Sequence, residues 1–410
     1  MLFFLGLLKR VCSGRRNNMS RFVLLIGLFL LFVVFLVAES VYYNRRLYRI
    51  SLRISVSGTR GKSSIVRTLA SVLREHGITV LAKTTGSEAT YILPNGSTQP
   101  IKRKGLTTVL EQKRLIFKTA RLNADCVITE IMSIHPENHV VETHKLIRPA
   151  ITILSNFRAD HTDVAGDSID ELSALFINDI YPGSKVFIPE KEINEFIIKG
   201  IEKNKARLIP AITGTSDELN LNETVCQMHI SANLDVVVAT ARYLRIPDET
   251  IVKGITNTRL DIGKMEIFTL HSGIRKIWFV NAFAANDPLS TRLIMEKTLR
   301  ILAPEITAAT EIIGLLALRN DRGERSRQWL DYLLADGKNM FSHTFVSGIH
   351  SPVFTRKLNH CEKLVAKKPA EITRKIIAST SGDIVAFGIM NIHGLGMELI
   401  EYWKTGLIIS

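Results

Sequence analysis

The sequence predicts an α/β protein behind one N-terminal transmembrane helix: a phosphate-loop central domain on a parallel sheet, then a smaller Rossmann-like α/β C-terminal domain. Three observations predict it. The run FVLLIGLFLLFVVFLVA at Phe22–Ala38 carries no charge and no proline. A glycine-rich turn, Gly58-Thr59-Arg60-Gly61-Lys62-Ser63, stands between a strand-like and a helix-like stretch. From there to the end, short apolar runs alternate with helical ones, the pattern of βα units.

The apolar run is at the short end of what spans a bilayer, and Val41, Tyr42 and Tyr43 extend it or sit at the interface. A cleaved signal peptide is the alternative, with Ala38-Glu39-Ser40 as a tolerable cleavage site. An anchor is the better reading, because a nucleotide site downstream belongs in the cytoplasm. Lys9, Arg10, Arg15, Arg16 and Arg21 precede the span, and Arg45, Arg46, Arg49 and Arg53 follow it, so the positive-inside count nearly ties. A start at Met19 would leave only Arg21 ahead and hold the body in the cytoplasm.

Beyond the span, Ile50, Leu52, Ile54 and Val56 alternate with polar residues and predict a strand. Ile65, Leu69, Val72 and Leu73 share one face of a helix that Gly77 stops. Buried strands are expected at Ile78–Ala82, Cys126–Thr129, Ile151–Leu154 and Val186–Ile188. A second series follows at Ile277–Val280, Ile312–Leu316, Phe345–Val346 and Ile384–Phe387. The expected units are residues 1–45 with the anchor, 46–260 around the phosphate loop, and 261–410.

Composition fits this plan. The 410 residues exceed one ordinary domain, and 46% hydrophobic content is ample for two cores. The net charge of +14 points to an anionic neighbour: a membrane surface, an acidic substrate or nucleic acid. Nucleic acid is the weakest of these, since zinc-finger spacing, RRM-like aromatics and basic runs with interleaved aromatics are all missing. The four cysteines are scattered, which argues against a disulfide framework.

Chemistry converges on the carboxyl ends of the first strands, where open α/β sheets bind ligands. Gly58 to Ser63 supply backbone N–H groups at a helix N-terminus for a phosphate. Lys62 would reach the β/γ-phosphates and Ser63 a Mg²⁺, with Ser64 next along the helix. Val56 stands where the general Walker pattern has glycine, so the loop is a shortened variant. Lys83-Thr84-Thr85-Gly86, Glu130 and Ser155-Asn156-Phe157-Arg158-Ala159-Asp160-His161-Thr162-Asp163 follow successive strands. Glu130, Asp160, His161 and Asp163 suit Mg²⁺ or Mn²⁺. Singly, Glu130 reads equally as a solvated strand-end acid, Asp160 as a helix cap, and His161 as a surface histidine.

Together these motifs resemble the Mur ligase superfamily: the loop G-T-x-G-K-[ST], the strand-end glutamate, the Ser-Asn pair and D-H-x-D are all present. The resemblance is greatest to the ligase subunit of poly-γ-glutamate synthase, the CapB or PgsB family, which also places this domain directly after a membrane segment. Pro100-Ile101-Lys102-Arg103-Lys104, Val280-Asn281-Ala282-Phe283-Ala284-Ala285-Asn286-Asp287 and Asn391-Ile392-His393-Gly394 extend it over nearly the whole chain after residue 50.

The resemblance implies a single-pass protein of the cell membrane that uses ATP with Mg²⁺ or Mn²⁺ to activate a glutamate γ-carboxylate as an acyl-phosphate. Lys62, Glu130 and His161 would be catalytic, and Ser63, Glu130 and His161 would hold metal. Gly58, Thr59, Arg60, Gly61, Lys62, Ser63, Ser64, Asn233, Asn281 and Asp287 would hold ATP, with Asn233 at the adenine and Asp321-Arg322 sharing contacts. Lys83, Thr84, Thr85, Asn156, Arg158, Arg319 and His393 are the substrate candidates, although His393 reads equally as a turn cap. The cationic Lys102, Arg103 and Lys104 would face substrate, solvent or lipid.

Glutamate, the growing poly-γ-glutamate chain and small membrane subunits are the implied partners; homo-oligomerisation stays open. A carbamylated lysine found in many Mur ligases falls here on Phe176, so a second metal held through it is not expected. Other readings are a related ligase for a different amino acid or acceptor, a P-loop switch or transport ATPase, and an ATP-binding scaffold. The motifs N-K-x-D and L-S-G-G-Q, marks of two such ATPase or GTPase classes, are absent from the sequence.

Overall fold

The computed structural model describes residues 2–85, 89–103, 108–133, 135–157, 169–222, 225, 229–259, 265–366 and 368–406, apart from the side chains of residues 2–21 and 169. Helix α1 (Leu2–Leu47) is continuous, and its part from Phe22 to Leu47 is long and apolar enough to cross a membrane. Its end docks on the body: the Tyr42 and Tyr43 rings lie 5.6 and 5.7 Å from Phe117, Tyr43 Oη donates to the Leu146 carbonyl, and Glu39 pairs with Lys113.

Among the described residues the first sheet comprises β1 (Leu52–Ser57), β2 (Val80–Thr84), β3 (Thr90–Ile92), β4 (Thr98–Pro100), β5 (Cys126–Glu130), β6 (Ile151–Leu154), β7 (Lys185–Pro189) and β8 (Arg207–Ala211). Their order is β4-β3-β2-β5-β1-β6-β7-β8. Helices α2 (Lys62–Glu75), α3 (Leu110–Arg121), α4 (Pro136–Val140), α5 (Ile169–Phe176), α6 (Glu195–Lys203), α7 (Ser231–Tyr243) and α8 (Asp248–Thr256) surround it. A π-helical turn, Val141–Ile147, continues α4.

The second sheet holds β9 (Glu266–Ser272), β10 (Arg275–Ala282), β11 (Glu311–Ala317), β12 (His343–Ser347), β13 (Cys361–Lys363) and β14 (Ile384–Ile389), in the order β13-β12-β11-β14-β10-β9. Helices α9 (Pro288–Leu302), α10 (Gly323–Leu334), α11 (Ser351–Lys357), α12 (Pro369–Ala378) and α13 (Leu395–Lys404) flank it.

Every strand expected from the sequence is present, but both sheets are mixed. Strands β2, β3 and β4 are joined antiparallel, and so are β9 and β10. The β3–β4 and β9–β10 reversals are hairpins with glycine at positive φ, Gly96 at +82° and Gly273 at +62°, which lets the chain turn back without a crossover helix. The alternation in β1 also fails at its end. Ser55 and Ser57 are as buried as Ile54 and Val56, because a central strand is covered on both faces. The boundary expected near Thr258–Gly263 falls largely on residues 260–264, outside the described residues.

Helix α2 lies in the middle of the first core with Ile65, Val66, Leu69, Val72 and Leu73 buried. Helix α8 crosses it so closely that a Cβ at Gly254 would stand 2.4 Å from Val72 Cα. Gly254→Ala gains roughly 1 kcal/mol of helix propensity but overpacks a backbone contact at about 1–3 kcal/mol. A net drop in melting temperature is expected by calorimetry; a rise would contradict this packing.

Candidate active site

Register assembles the site. Val56 of β1 pairs with Glu130 of β5, and Ser57 with Leu154 of β6. Connections leave β1 and β5 towards opposite sides of the sheet, so the ends of β1, β5 and β6 form the crevice of a topological switch point. Gly58, Glu130 and Ser155 therefore meet there.

The loop is braced from β6. Gly58 has φ +109°, and a Cβ on it would lie 2.3 Å from Ser155 Oγ. Thr59 N–H donates to the Asn156 carbonyl (3.0 Å), Arg60 N–H to Asn156 Oδ1 (3.2 Å), and Asn156 Nδ2 back to the Arg60 carbonyl (2.9 Å). Gly61, at φ +84°, caps α2, and a Cβ there would strike Asn233 at 2.6 Å. Asn233 thus packs on the loop from the start of α7. Lys62 Nζ folds back onto the carbonyls of Gly58 (2.5 Å) and Thr59 (3.1 Å), while Ser63 and Ser64 lie half-buried in the first turn.

Glu130 is 1% exposed. Its Oε2 accepts from Thr85 N–H (2.9 Å) and Thr85 Oγ1 (2.6 Å), whereas the buried Oε1 has no hydrogen-bond partner among the described residues. A buried carboxylate oxygen left open carries a large desolvation penalty, and a divalent cation there would offset it. Glu130 therefore fits a metal. Among the described residues no group of three or more His, Cys, Asp or Glu side chains gathers around a possible ion. His161, Asp160, Asp163 and Arg158 lie outside the described residues, as do Gly86 and Lys104.

Behind Glu130 is a buried polar set of which sequence reading singled out Lys83, Thr84 and Arg103 but not Glu111, Gln112, Ser133 or Glu142. Lys83 is fully buried with Nζ 3.2 Å from Glu111, which Arg103 also grips at 2.7 and 3.1 Å. Burial pushes the Lys83 ammonium below its usual range, although Glu111, Glu142 and Glu130 pull the other way. Gln112 Nε2 donates to the Glu130 carbonyl (2.9 Å) and to Glu142 (2.7 Å), and Ser133 donates to Glu142 as well. Burial keeps the Glu142 carboxyl above its ordinary value. Thr84, also buried, accepts from Arg67 (3.3 Å). These contacts join residues 8 to 30 positions apart in sequence, and no local pattern announces them.

Below the loop, Ser57 Oγ donates to Asp179, which Thr143 (3.2 Å) and His139 Nδ1 (2.9 Å) also engage. The second half reaches the loop from the β10 end. Asp287 caps α9 by accepting from Ser290 N–H (2.8 Å) and forms an ion pair with Arg60 at 3.1 Å. With the Asn286 amide oriented by its hydrogen bonds, its Oδ1 accepts from Arg60 (3.3 Å) and Arg325 (3.2 Å). Lys297 Nζ donates to the His229 carbonyl (2.7 Å). Asn281 is buried, with Oδ1 accepting from Phe283 N–H. Arg319 pairs with Asp321 at 2.6 Å and holds that carboxyl down at about 2. His393 is exposed in a turn closed by Asn391.

Mur ligases combine such a loop, strand-end glutamate and facing α/β half, and residues 56–236 match the Mur ligase middle domain. The fold agrees. The folylpolyglutamate synthase/dihydrofolate synthase of Yersinia pestis, solved with AMPPNP and Mn, superimposes at TM-score 0.68 with 13% identity over 89% of this chain and 92% of that one. MurF of Acinetobacter baumannii gives 0.58 with 14% identity, covering 88% and 79%.

Within that class, residues 267–406 match the poly-gamma-glutamate synthase CapB C-terminal domain. The capsule biosynthesis protein CapB of Bacillus anthracis is 29% identical over 95% of this chain and 84% of its own. The PGA synthase CapB of Bacillus subtilis is 27% identical over 89% and 93%. Over most of its length the chain is similar to these CapB proteins of poly-γ-glutamate synthesis.

One titration bears on the loop. Burial lowers the His139 pKa, but Asp179, by charge and hydrogen bond, outweighs it and holds the imidazole above its ordinary value. The folded state then binds more protons than the unfolded one across that interval. The pair's stabilisation is complete below the unfolded value, about 6.5, and is lost as pH rises through the folded one. The melting temperature should fall as pH is raised through this window, and less steeply in His139→Gln; identical slopes would contradict the assignment.

Proposed function

We infer that the protein is an ATP-dependent amide ligase that makes poly-γ-glutamate, activating a γ-carboxylate as an acyl-phosphate for attack by the amine of another glutamate. The observation that carries this reading is the juxtaposition at the switch point: a braced phosphate loop beside a buried glutamate with an open carboxylate oxygen. Similarity to the CapB relatives over most of the chain supports it.

Gly58–Ser64 cradle the nucleotide phosphates through backbone N–H groups. Lys62, now folded on loop carbonyls, turns outward to the β/γ-phosphates and offsets charge on the transferring group. Glu130, with Ser63 and His161, would hold a divalent ion, Mg²⁺ or Mn²⁺, which when bound would supply positive charge beside the phosphoryl oxygens. Asn156 acts on the loop's shape, and Lys83 on the set behind Glu130, where its charge already faces the protein's own carboxylates. Thr84 and Thr85 likewise act through Arg67 and Glu130. Arg158, Arg319 and His393 are left as the substrate-facing candidates, and Asn233, Asn281 and Asp287 complete the nucleotide site. Arg60–Asp287 links the two halves, whose closure excludes water from the acyl-phosphate.

The chain divides at residues 45 and 260 into anchor, ATP-binding domain and second ligase domain. The anchor places the catalytic body on the cytoplasmic face of the cell membrane, beside small membrane subunits. The folylpolyglutamate synthase relative, crystallised with AMPPNP and Mn, supports the nucleotide and metal.

Phosphate release from ATP, measured in membranes with the partner subunits and with or without L- or D-glutamate, tests this. One enantiomer should stimulate release in wild type. Lys62→Ala and Glu130→Gln should lose at least about 100-fold of it. Release that needs Lys62 but ignores amino acids would overturn the ligase assignment.

A further inference from the structure

Away from the phosphate loop, along the flank of α2, lies a cavity of about 170 Å³ lined by Arg67, Ser71, Arg74, Asn95, Asn257 and Arg259 among others. It is a built site. Arg67 is 93% buried, being 7% exposed, and reaches Thr84 next to the residue that grips Glu130. Arg74 donates to Ser71 Oγ (3.2 Å) and lies so close under the β3–β4 hairpin that a Cβ at Gly96 would stand 3.1 Å from its guanidinium carbon. Burial, and after it the like charge of Arg259, lower the Arg74 pKa against the pull of Glu75. Glu75 is itself engaged by Lys253 and Asn257, each at 2.9 Å.

Arg74 and Arg259 bring like charges to one small cavity, and an anion between them relieves the repulsion. The volume is below the ~300 Å³ of ordinary small-molecule pockets, a size for a carboxylate-bearing group and not for a nucleotide. By helical rise, Arg67 and Arg74 lie roughly 7 and 18 Å along α2 from Lys62.

We propose that this arginine-lined cavity binds an α-carboxylate of the growing γ-linked glutamate chain and so holds the acceptor polymer while its end is extended. The proposal rests on the ligase reading above: each γ-linked unit leaves one α-carboxylate free, so the product is a polyanion. Planar guanidiniums recognise such carboxylates by paired hydrogen bonds.

The test uses the full chain in detergent, with fluorescence anisotropy of a labelled γ-linked glutamate oligomer. Arg74→Gln/Arg259→Gln should weaken binding about tenfold or more, with Arg74→Lys intermediate and melting temperatures unchanged. The acceptor KM should rise in the double variant while the KM for ATP stays put. Equal oligomer affinity in wild type and variant would overturn the proposal. So would displacement of the oligomer by equimolar inorganic phosphate, which would mark a general oxyanion site. Absence of glutamate-dependent phosphate release in wild type would instead sink the ligase reading, whatever the oligomer does.

Discussion

At residue 58 the chain turns at φ +109° against the end of β6, so tightly that a single methyl group would meet Ser155 Oγ at 2.3 Å. This contact lets Asn156 knit its side chain and carbonyl into the backbone of Thr59 and Arg60. The loop's shape is thus braced by the neighbouring strand. Its N–H groups and the start of α2 are organised beforehand, the condition under which dipoles stabilise developing charge best. Asn233 repeats the device at Gly61 from another helix.

The same crevice carries a concentration of buried charge. Glu111, Glu130 and Glu142 are nearly inaccessible, and Lys83 sits among them with no exposure. Such a set is not retained for stability, since apolar replacements commonly do as well. It fixes Glu130 from behind, through Gln112 and Thr85, and leaves one oxygen directed to chemistry. Helix α3, which supplies Glu111 and Gln112, is also the helix on which Tyr42 and Tyr43 of the anchor rest. The π-helical turn supplies Glu142 and, at Leu146, the acceptor for Tyr43. The apolar N-terminal helix and Glu130 therefore share their supports.

Much of this was legible beforehand where chemistry is local. Lys62 follows two glycines between a strand and a helix, and Glu130 ends an apolar run, so periodicity and position suffice. The β3–β4 hairpin was missed because its strands are three residues each, too short for an alternating pattern. Asp179 and His139 were missed because a buried pair 40 residues apart has no signature in one chain. Lys83 looked like a substrate cation because its position at a strand end is right; only the fold shows that α3 brings Glu111 over it. Arg60, an arbitrary position in the loop motif, gains its meaning from Asp287 across the halves.

The central claim is that the loop owes its binding shape to the close approach of Gly58 and β6. Nucleotide affinity of Gly58→Ala, by calorimetric titration of ADP into the full-length protein, tests it most directly. The account predicts about tenfold or greater loss of affinity, because the added methyl parts the loop from Ser155 and Asn156, while the sheet stays folded by circular dichroism. Unchanged ADP affinity in a folded Gly58→Ala protein would contradict it.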